Sequence, residues 1–323
     1  MNLLICYTPL QILIATKLIE SSKIKGVNTF FIYYNYNKTV KTDFYCAKLR
    51  EMCRDGIEIN KRFSFGLLIK LRFLLRNKIF DEVYLASVND RIAHYILSFI
   101  TFDKLYTYDD GTANIFKNSF FYENDKSQSR LKSLGHYILG RKFYLQDIIS
   151  KSYKHYTIYN DKRNIIDNIE YIDILSTVAN TTLDNNIETE CNVVIGSVLP
   201  EILVPNAPLS VVSRKIKVFV RSLENVTYIC HPRDKSTEFD NYTLNKHLVF
   251  EDVISQLLME YQKINLYGFV SSAHFNILNI NTDRVNCFVF VSGLLKEKYA
   301  GLTSVAISEG SKTFDFDKVD VNG

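Results

Sequence analysis

The feature that most restricts the fold of this chain is an alternation. Short apolar runs, each ending in a few polar residues, are followed by longer helix-like runs. NLLICY (2–7) leads into a helix at Thr8 and Pro9. Threonine is a good N-cap and proline a good first helical residue. NTFFIYYN (28–35) is a second strand, and TDFYCAKLREMCRDG (42–56) a helix with Asp43 near its start. DEVYLAS (81–87) precedes the helix RIAHYILSFI (91–100), and KLYTYDDG (104–111) is a fourth strand ending in two acids and a glycine. Strands alternating with helices predict an α/β fold, a parallel sheet covered by helices on both faces.

The pattern weakens over 112–190, which is rich in Tyr, Lys and Asn, and TTLDNNIETE (181–190) reads as a linker. It then restarts. CNVVIGS (191–197), NVTYICHPRD (225–234) and VNCFVFV (285–291) read as strands. RKIKVFVRSL (214–223) is mixed, HLVFED (247–252) short, and DVISQLLMEYQKI (252–264) helical. NLYGFVSSAHFNIL (265–278) reads as strand, turn and helix start. With 323 residues, there is room for two domains of about 150 residues each. The predicted division is 1–180 and 190–323.

Composition narrows the class. Hydrophobic residues make up 47% and charged residues 23%, as in an ordinary globular protein. Cys6, Cys46, Cys53, Cys191, Cys230 and Cys287 form no CxxC pair and mostly sit in apolar runs. They read as reduced core thiols of a cytoplasmic protein. The apolar N-terminus has no basic leader and is interrupted at Thr8-Pro9, so it reads as strand and helix, not signal peptide. No run of 18 apolar residues predicts a transmembrane helix. Two segments, 61–78 (with Lys70, Arg72 and Arg76) and 130–144, mix basic with large apolar residues. Each reads either as a peripheral contact with an anionic membrane or as a surface helix with snorkelling side chains. Acids and bases alternate over most other polar stretches, which argues against nucleic acid as a partner.

In parallel sheets, ligands gather at the carboxyl ends of the strands. Four groups fall there: Thr8–Gln11, Asp109–Gly111, His231–Arg233 and Ser271–Ser272. Consecutive strand residues point to opposite faces, so one of Asp109 and Asp110 should face a ligand and the other hold the loop. Equally, DDG alone can be a turn with Gly111 at positive φ. His231 is fixed by Pro232 and can donate a proton or hold a phosphate, and Arg233 is a natural phosphate partner. YGFVSSA (267–273) closes a strand on Gly268 and sets Ser271 and Ser272 before a helix, where hydroxyls and N–H groups can take an anion or simply cap the helix. Glu201 in GSVLPE follows another strand and can be a second acid of the site, and Glu251 in FED can grip ribose hydroxyls; equally, each can be a solvated surface acid. DFD (315–317) has a metal–nucleotide pattern, but it follows the point where the folded pattern fades, and no metal site is expected. Neither GxxxxGK[ST] nor GxGxxG occurs.

Taken in order, CYTPLQ, YDDGTANI, YICHPRD and YGFVSSA resemble bacterial sialyltransferases, above all the lipooligosaccharide and capsule enzymes of glycosyltransferase family 52. The resemblance spans nearly the whole chain. It implies a GT-B fold, two Rossmann-like domains facing a central cleft, with 1–180 on the acceptor side and 190–323 binding the donor. It implies transfer from CMP-sialic acid to a terminal galactose of a glycan or glycolipid, inverting and without metal or other cofactor. His231 corresponds to the general acid toward the departing CMP, and Ser271 and Ser272 to its phosphate ligands. Pro232, Arg233, Gly268, Glu251, Thr8 and Gln11 are the further donor-binding candidates. The base is Asp110 or Glu201, with Asp109 and Gly111 supporting the loop. A homodimer, domain-swapped in some relatives, and a peripheral position at the inner face of the cytoplasmic membrane are also implied. A GT-B enzyme using another nucleotide sugar is the alternative, although no Arg/Lys pair marks a diphosphate site.

Overall fold

All five residues of the first strand, β1 (Asn2–Cys6), are buried. A continuous apolar strand covered on both faces belongs in the middle of a parallel sheet, and β1 sits there. It pairs in parallel with β2 (Thr29–Tyr34) on one side and β4 (Ile79–Leu85) on the other, with Leu3 opposite Phe30 and Val83. In the computed structural model, which describes residues 1–116, 119, 121–122, 135–160, 163–175, 188–233, 238–279 and 283–320, the chain divides into two units, Met1–Ile174 and Leu175–Gly323.

The first unit holds a seven-stranded sheet in the order β3-β2-β1-β4-β5-β6-β7, where β3 is Asp55–Ile59, β5 Thr101–Tyr108, β6 Ser152–Thr157 and β7 Ile169–Tyr171. Every pairing is parallel. Helices α1 (Pro9–Glu20), α2 (Val40–Met52), α3 (Phe65–Leu75) and α4 (Arg91–Phe99) start at Thr8, Thr39, Ser64 and Asp90, whose side-chain oxygens accept from first-turn N–H groups. Leu67, Leu71 and Leu75 of α3 and Ile92 and Ile96 of α4 share one core with Ile5, Ile32 and Leu85. Ile148, from α5 (Leu145–Lys151), joins it. On α1 and α2, which pack together, Ile14, Leu18, Tyr45 and Leu49 are buried outside that cluster.

The second unit is built likewise from five parallel strands: β8 (Glu188–Ile195), β9 (Val226–Ile229), β10 (Tyr261–Gly268), β11 (Val285–Val291) and β12 (Lys312–Asp315), in the order β12-β11-β10-β8-β9. Its helices are α6 (Leu199–Ile202), α7 (Leu209–Ser222), α8 (Phe250–Glu260), α9 (Ser272–Leu278) and α10 (Glu297–Ser308). Its core is aromatic: Phe290 lies 5.3 Å from both Phe219 and Phe269, and 5.0 Å from Phe316, centroid to centroid. In each sheet the chain winds outward, returns and winds the other way. The reversal falls between β1 and β4 in the first and between β8 and β10 in the second, where doubly wound sheets bind ligands.

Several sequence expectations are corrected. The helix over 42–56 stops at Met52, and Asp55–Ile59 is a strand. The irregular stretch 112–190 contains α5, β6 and β7. The mixed segment 214–223 is part of helix α7, and 252–264 leaves helix for strand at Tyr261. DFD belongs to the fold: Phe316 is buried, and Asp317 accepts from Ser292 Oγ at 2.6 Å and Gly293 N at 2.9 Å. The linker at 181–190 and the basic stretch 130–134 fall largely or wholly outside the described residues.

Candidate active-site residues

In the first unit, the carboxyl ends of β1 and β5 and the residues after β4 converge on Asp110. Its Oδ1 accepts from Gln11 Nε2, its Oδ2 accepts from Ser87 Oγ at 3.0 Å, and its backbone N–H donates to Asn114 Oδ1 at 3.0 Å. Gln11 is fully buried and held in turn: its Oε1 accepts from Tyr7 N at 2.7 Å, and its Nε2 also donates to Ser87 Oγ at 2.9 Å. Gln11, expected on the donor, is therefore a brace for Asp110, and Thr8 is the cap of α1. Burial pushes the Asp110 carboxyl up to about 6 against the opposing pull of its two hydrogen bonds, with Asp90 and Asp109 adding to the rise. Asp110 still keeps part of its surface open. An exposed-edge carboxylate that titrates near 6 is ionised at neutral pH yet basic enough to take a proton.

Asp109 is turned the other way and is fully buried. It accepts from His155 Nε2 at 2.9 Å, Thr157 Oγ1 and Ile158 N at 2.7 Å, and Asn164 Nδ2 at 3.3 Å. Thr107 Oγ1 meets the other ring nitrogen of His155 at 2.8 Å. This network ties β5 to β6 and leaves Asp109 no face toward a ligand. Gly111 follows at φ +113°, a conformation that favours glycine.

In the second unit, His231 follows β9. The backbone N–H of Arg233 donates to His231 Nδ1 at 3.1 Å. An accepting Nδ1 places the proton of the neutral ring on Nε2. Pro232 and Arg233 are exposed. Arg233 grips Glu201 through both terminal nitrogens, at 2.5 and 2.6 Å. Glu201 and Arg233, expected as separate base and phosphate ligand, are thus partners of each other. A cavity of about 360 Å³ opens beside them, lined by Ser197, Leu199, Ile216, Tyr228, Arg233 and Phe239. A cavity of about 400 Å³ in the first unit lies at the opposite, amino-terminal end of β5, away from Asp110.

Across the reversal from His231, β10 ends at Gly268. A Cβ there would stand 3.0 Å from the Ile195 carbonyl oxygen, so a larger residue would press β10 and β8 apart by a few tenths of an ångström. Ser271 stands at the N-cap position of α9, and its Oγ lies 3.3 Å from Nδ1 of the fully buried His274 instead of bonding a first-turn N–H. Burial lowers His274 to about 4, keeping its ring neutral. Glu251 is buried and accepts from Asn276 Nδ2 at 2.6 Å, so it braces α8 against α9. Ser87, Asn114, His155 and His274 were missed from sequence. His274 alone had a local signal, three residues past the serine cap. Among the described residues no three His, Cys, Asp or Glu side chains are grouped to hold a metal ion, and none of the six cysteines forms a disulfide.

Each of the two parallel α/β units carries chemically able side chains at its strand ends, acids in the first and a histidine and serines in the second. Residues 27–289 match glycosyltransferase family 52, and the chain belongs to that family. It is 34% identical over 284 residues to the CMP-N-acetylneuraminate:beta-galactoside alpha-2,3-sialyltransferase of Pasteurella multocida, covering 86% of this chain and 88% of that one. It is 33% identical over 289 residues to the N-acetyllactosaminide alpha-2,3-sialyltransferase of Haemophilus influenzae, covering 86% and 89%. Among solved structures, a UDP-N-acetylglucosamine 2-epimerase from Listeria monocytogenes is similar at a TM-score of 0.48 and 9% identity, over 95% of this chain and 88% of that one. The chain is a glycosyltransferase.

Proposed function

We propose that this enzyme transfers sialic acid from CMP-sialic acid to a terminal galactose of a bacterial surface glycan, with inversion and without a metal. The observation that carries the reading is the identity of about one third to two curated α2,3-sialyltransferases over most of each chain. The same relatives favour the α2,3 linkage.

The chemistry suits the residues. Sialyl transfer passes through an oxocarbenium-like state and releases CMP, a stabilised leaving group. The acceptor hydroxyl must lose a proton. Asp110 is the group we assign to take it, because its basicity is set near neutrality and its bracing by Gln11 and Ser87 fixes its direction. His231 is assigned to the departing phosphate, with Nε2–H as the donor. Ser271 and Ser272 are assigned to the phosphate oxygens, and Gly268 to the close backbone approach beneath them. Acid and base each contribute on the order of 10²–10⁴-fold. Glu201 is the weaker candidate base, since Arg233 occupies both of its oxygens. The cavity beside Arg233 is a candidate for part of the donor. We place the enzyme at the inner face of the cytoplasmic membrane.

The test is mass spectrometry of lactose incubated with the enzyme and CMP-sialic acid, with linkage-specific sialidase digestion of the product. Gain of one α2,3-linked sialyl residue supports the reading. An unmodified acceptor here, with turnover of a UDP-sugar, overturns it.

A further inference from the structure

Helix α3 buries Leu67, Leu71 and Leu75 in the core under the first sheet, and Leu68 is buried beside them in sequence. Its opposite face is also apolar. Phe65 is 61% exposed, Ile69 55% and Phe73 85%. Spaced by four, these residues form one stripe along the solvent side of the helix. Lys70 flanks the stripe on one side, Arg72 and Arg76 on the other, and all three are exposed. A surface helix ordinarily turns a polar face to water. This one turns large apolar side chains outward within a margin of cations.

A Cβ built on Gly140 would stand 3.6 Å from an Arg72 terminal nitrogen, and shortly before it in the chain Tyr137 and Ile138 are 71% and 72% exposed. The charge is one-sided: 61–78 carries Lys61, Arg62, Lys70, Arg72, Arg76 and Lys78 and no acid.

We propose that α3 is a membrane-docking helix, lying in the headgroup layer of an anionic bilayer with Phe65, Ile69 and Phe73 inserted and its cations on the lipid phosphates. Apolar residues between basic ones are the composition of a helix that lies in the interface plane. A second copy of this chain fits less well, because a two-fold contact through α3 would set cations against cations. The docking stands apart from the sugar-transfer reading, because it is measured without donor or acceptor.

The experiment is co-sedimentation of the full chain with vesicles of phosphatidylcholine alone or with phosphatidylglycerol. Wild type is expected to bind the anionic vesicles, and to release as salt rises from about 0.1 M to about 1 M, where the screening length falls from ~10 to ~3 Å. Ile69→Ser/Phe73→Ser should lose binding. Lys70→Gln/Arg76→Gln should weaken it about 25-fold, at about fivefold per cation. These side chains are exposed, and circular dichroism melts should match wild type. Failure of wild type to bind anionic vesicles, or variants that bind as wild type does, would overturn the proposal. So would a dimer, seen by analytical ultracentrifugation, that the Ile69/Phe73 variant abolishes while vesicle binding persists.

Discussion

Ser87→Ala isolates what the surroundings of Asp110 do. Ser87 Oγ donates to Asp110 Oδ2 at 3.0 Å, and that hydrogen bond favours the ionised carboxylate. A hydrogen bond to a charged group is worth about 1.5–3 kcal/mol, and a pKa unit about 1.4 kcal/mol. Removing it should raise Asp110 by roughly one to two units, from about 6 to between roughly 7 and 8. A base works only when deprotonated. The acidic limb of kcat/KM, which reports the free enzyme, should therefore move to higher pH by the same amount. At pH 7 the competent fraction falls from roughly 90% to roughly 50% or less, while activity recovers near pH 9. The assay is CMP release with lactose as acceptor across that pH range. A limb that stays in place, with activity reduced equally at every pH, would refute Asp110 as the titrating base.

Other substitutions separate structure from chemistry. Asp110 has a folded-state pKa raised from 3.8 to about 6, so its charge costs the fold stability that is lost as pH rises between those values and stays lost above them. Asp110→Asn should therefore raise the melting temperature at pH 7.5, by at most about 3 kcal/mol of stability, with the gain vanishing toward pH 4, while activity is reduced about 10²-fold or more throughout. Asp109→Asn should do the opposite, since an amide cannot accept from His155, Thr157, Ile158 and Asn164 together. A loss of about 3–5 kcal/mol is expected, on the order of 10 °C in a thermal melt. The exposed Glu201–Arg233 pair contributes about 0–1 kcal/mol, so Glu201→Gln should leave the melt within a few degrees and keep turnover within tenfold of wild type. Turnover lost in a folded Glu201→Gln would move the base to Glu201.

The parallel α/β organisation was legible because its central strands are apolar on both faces. NLLIC and NVVI read as strands without help from periodicity. The edges were not legible. DGIEI at β3 is the outermost strand, half exposed and opened by Asp and Gly, so it resembles a helix end followed by a turn. Helix α3 was legible as a basic surface segment, but its being apolar on both the face it buries and the face it exposes was not. For the site, sequence could say that Asp109 and Asp110 point apart, but not which faces out. That is decided by His155, Thr157 and Asn164 on one side and Gln11 and Ser87 on the other, partners 23 to 99 residues away. The Glu201–Arg233 pair closes over 32 residues, and nothing local to GSVLPE or CHPRD announces it.

The most direct measurement is CMP release from CMP-sialic acid, with and without lactose, in EDTA, for wild type, His231→Ala and Asp110→Ala. The account predicts lactose-dependent release that EDTA leaves intact, with both variants folded and reduced about 10²-fold or more. No release by wild type, release abolished by EDTA, or full turnover in either variant would contradict it.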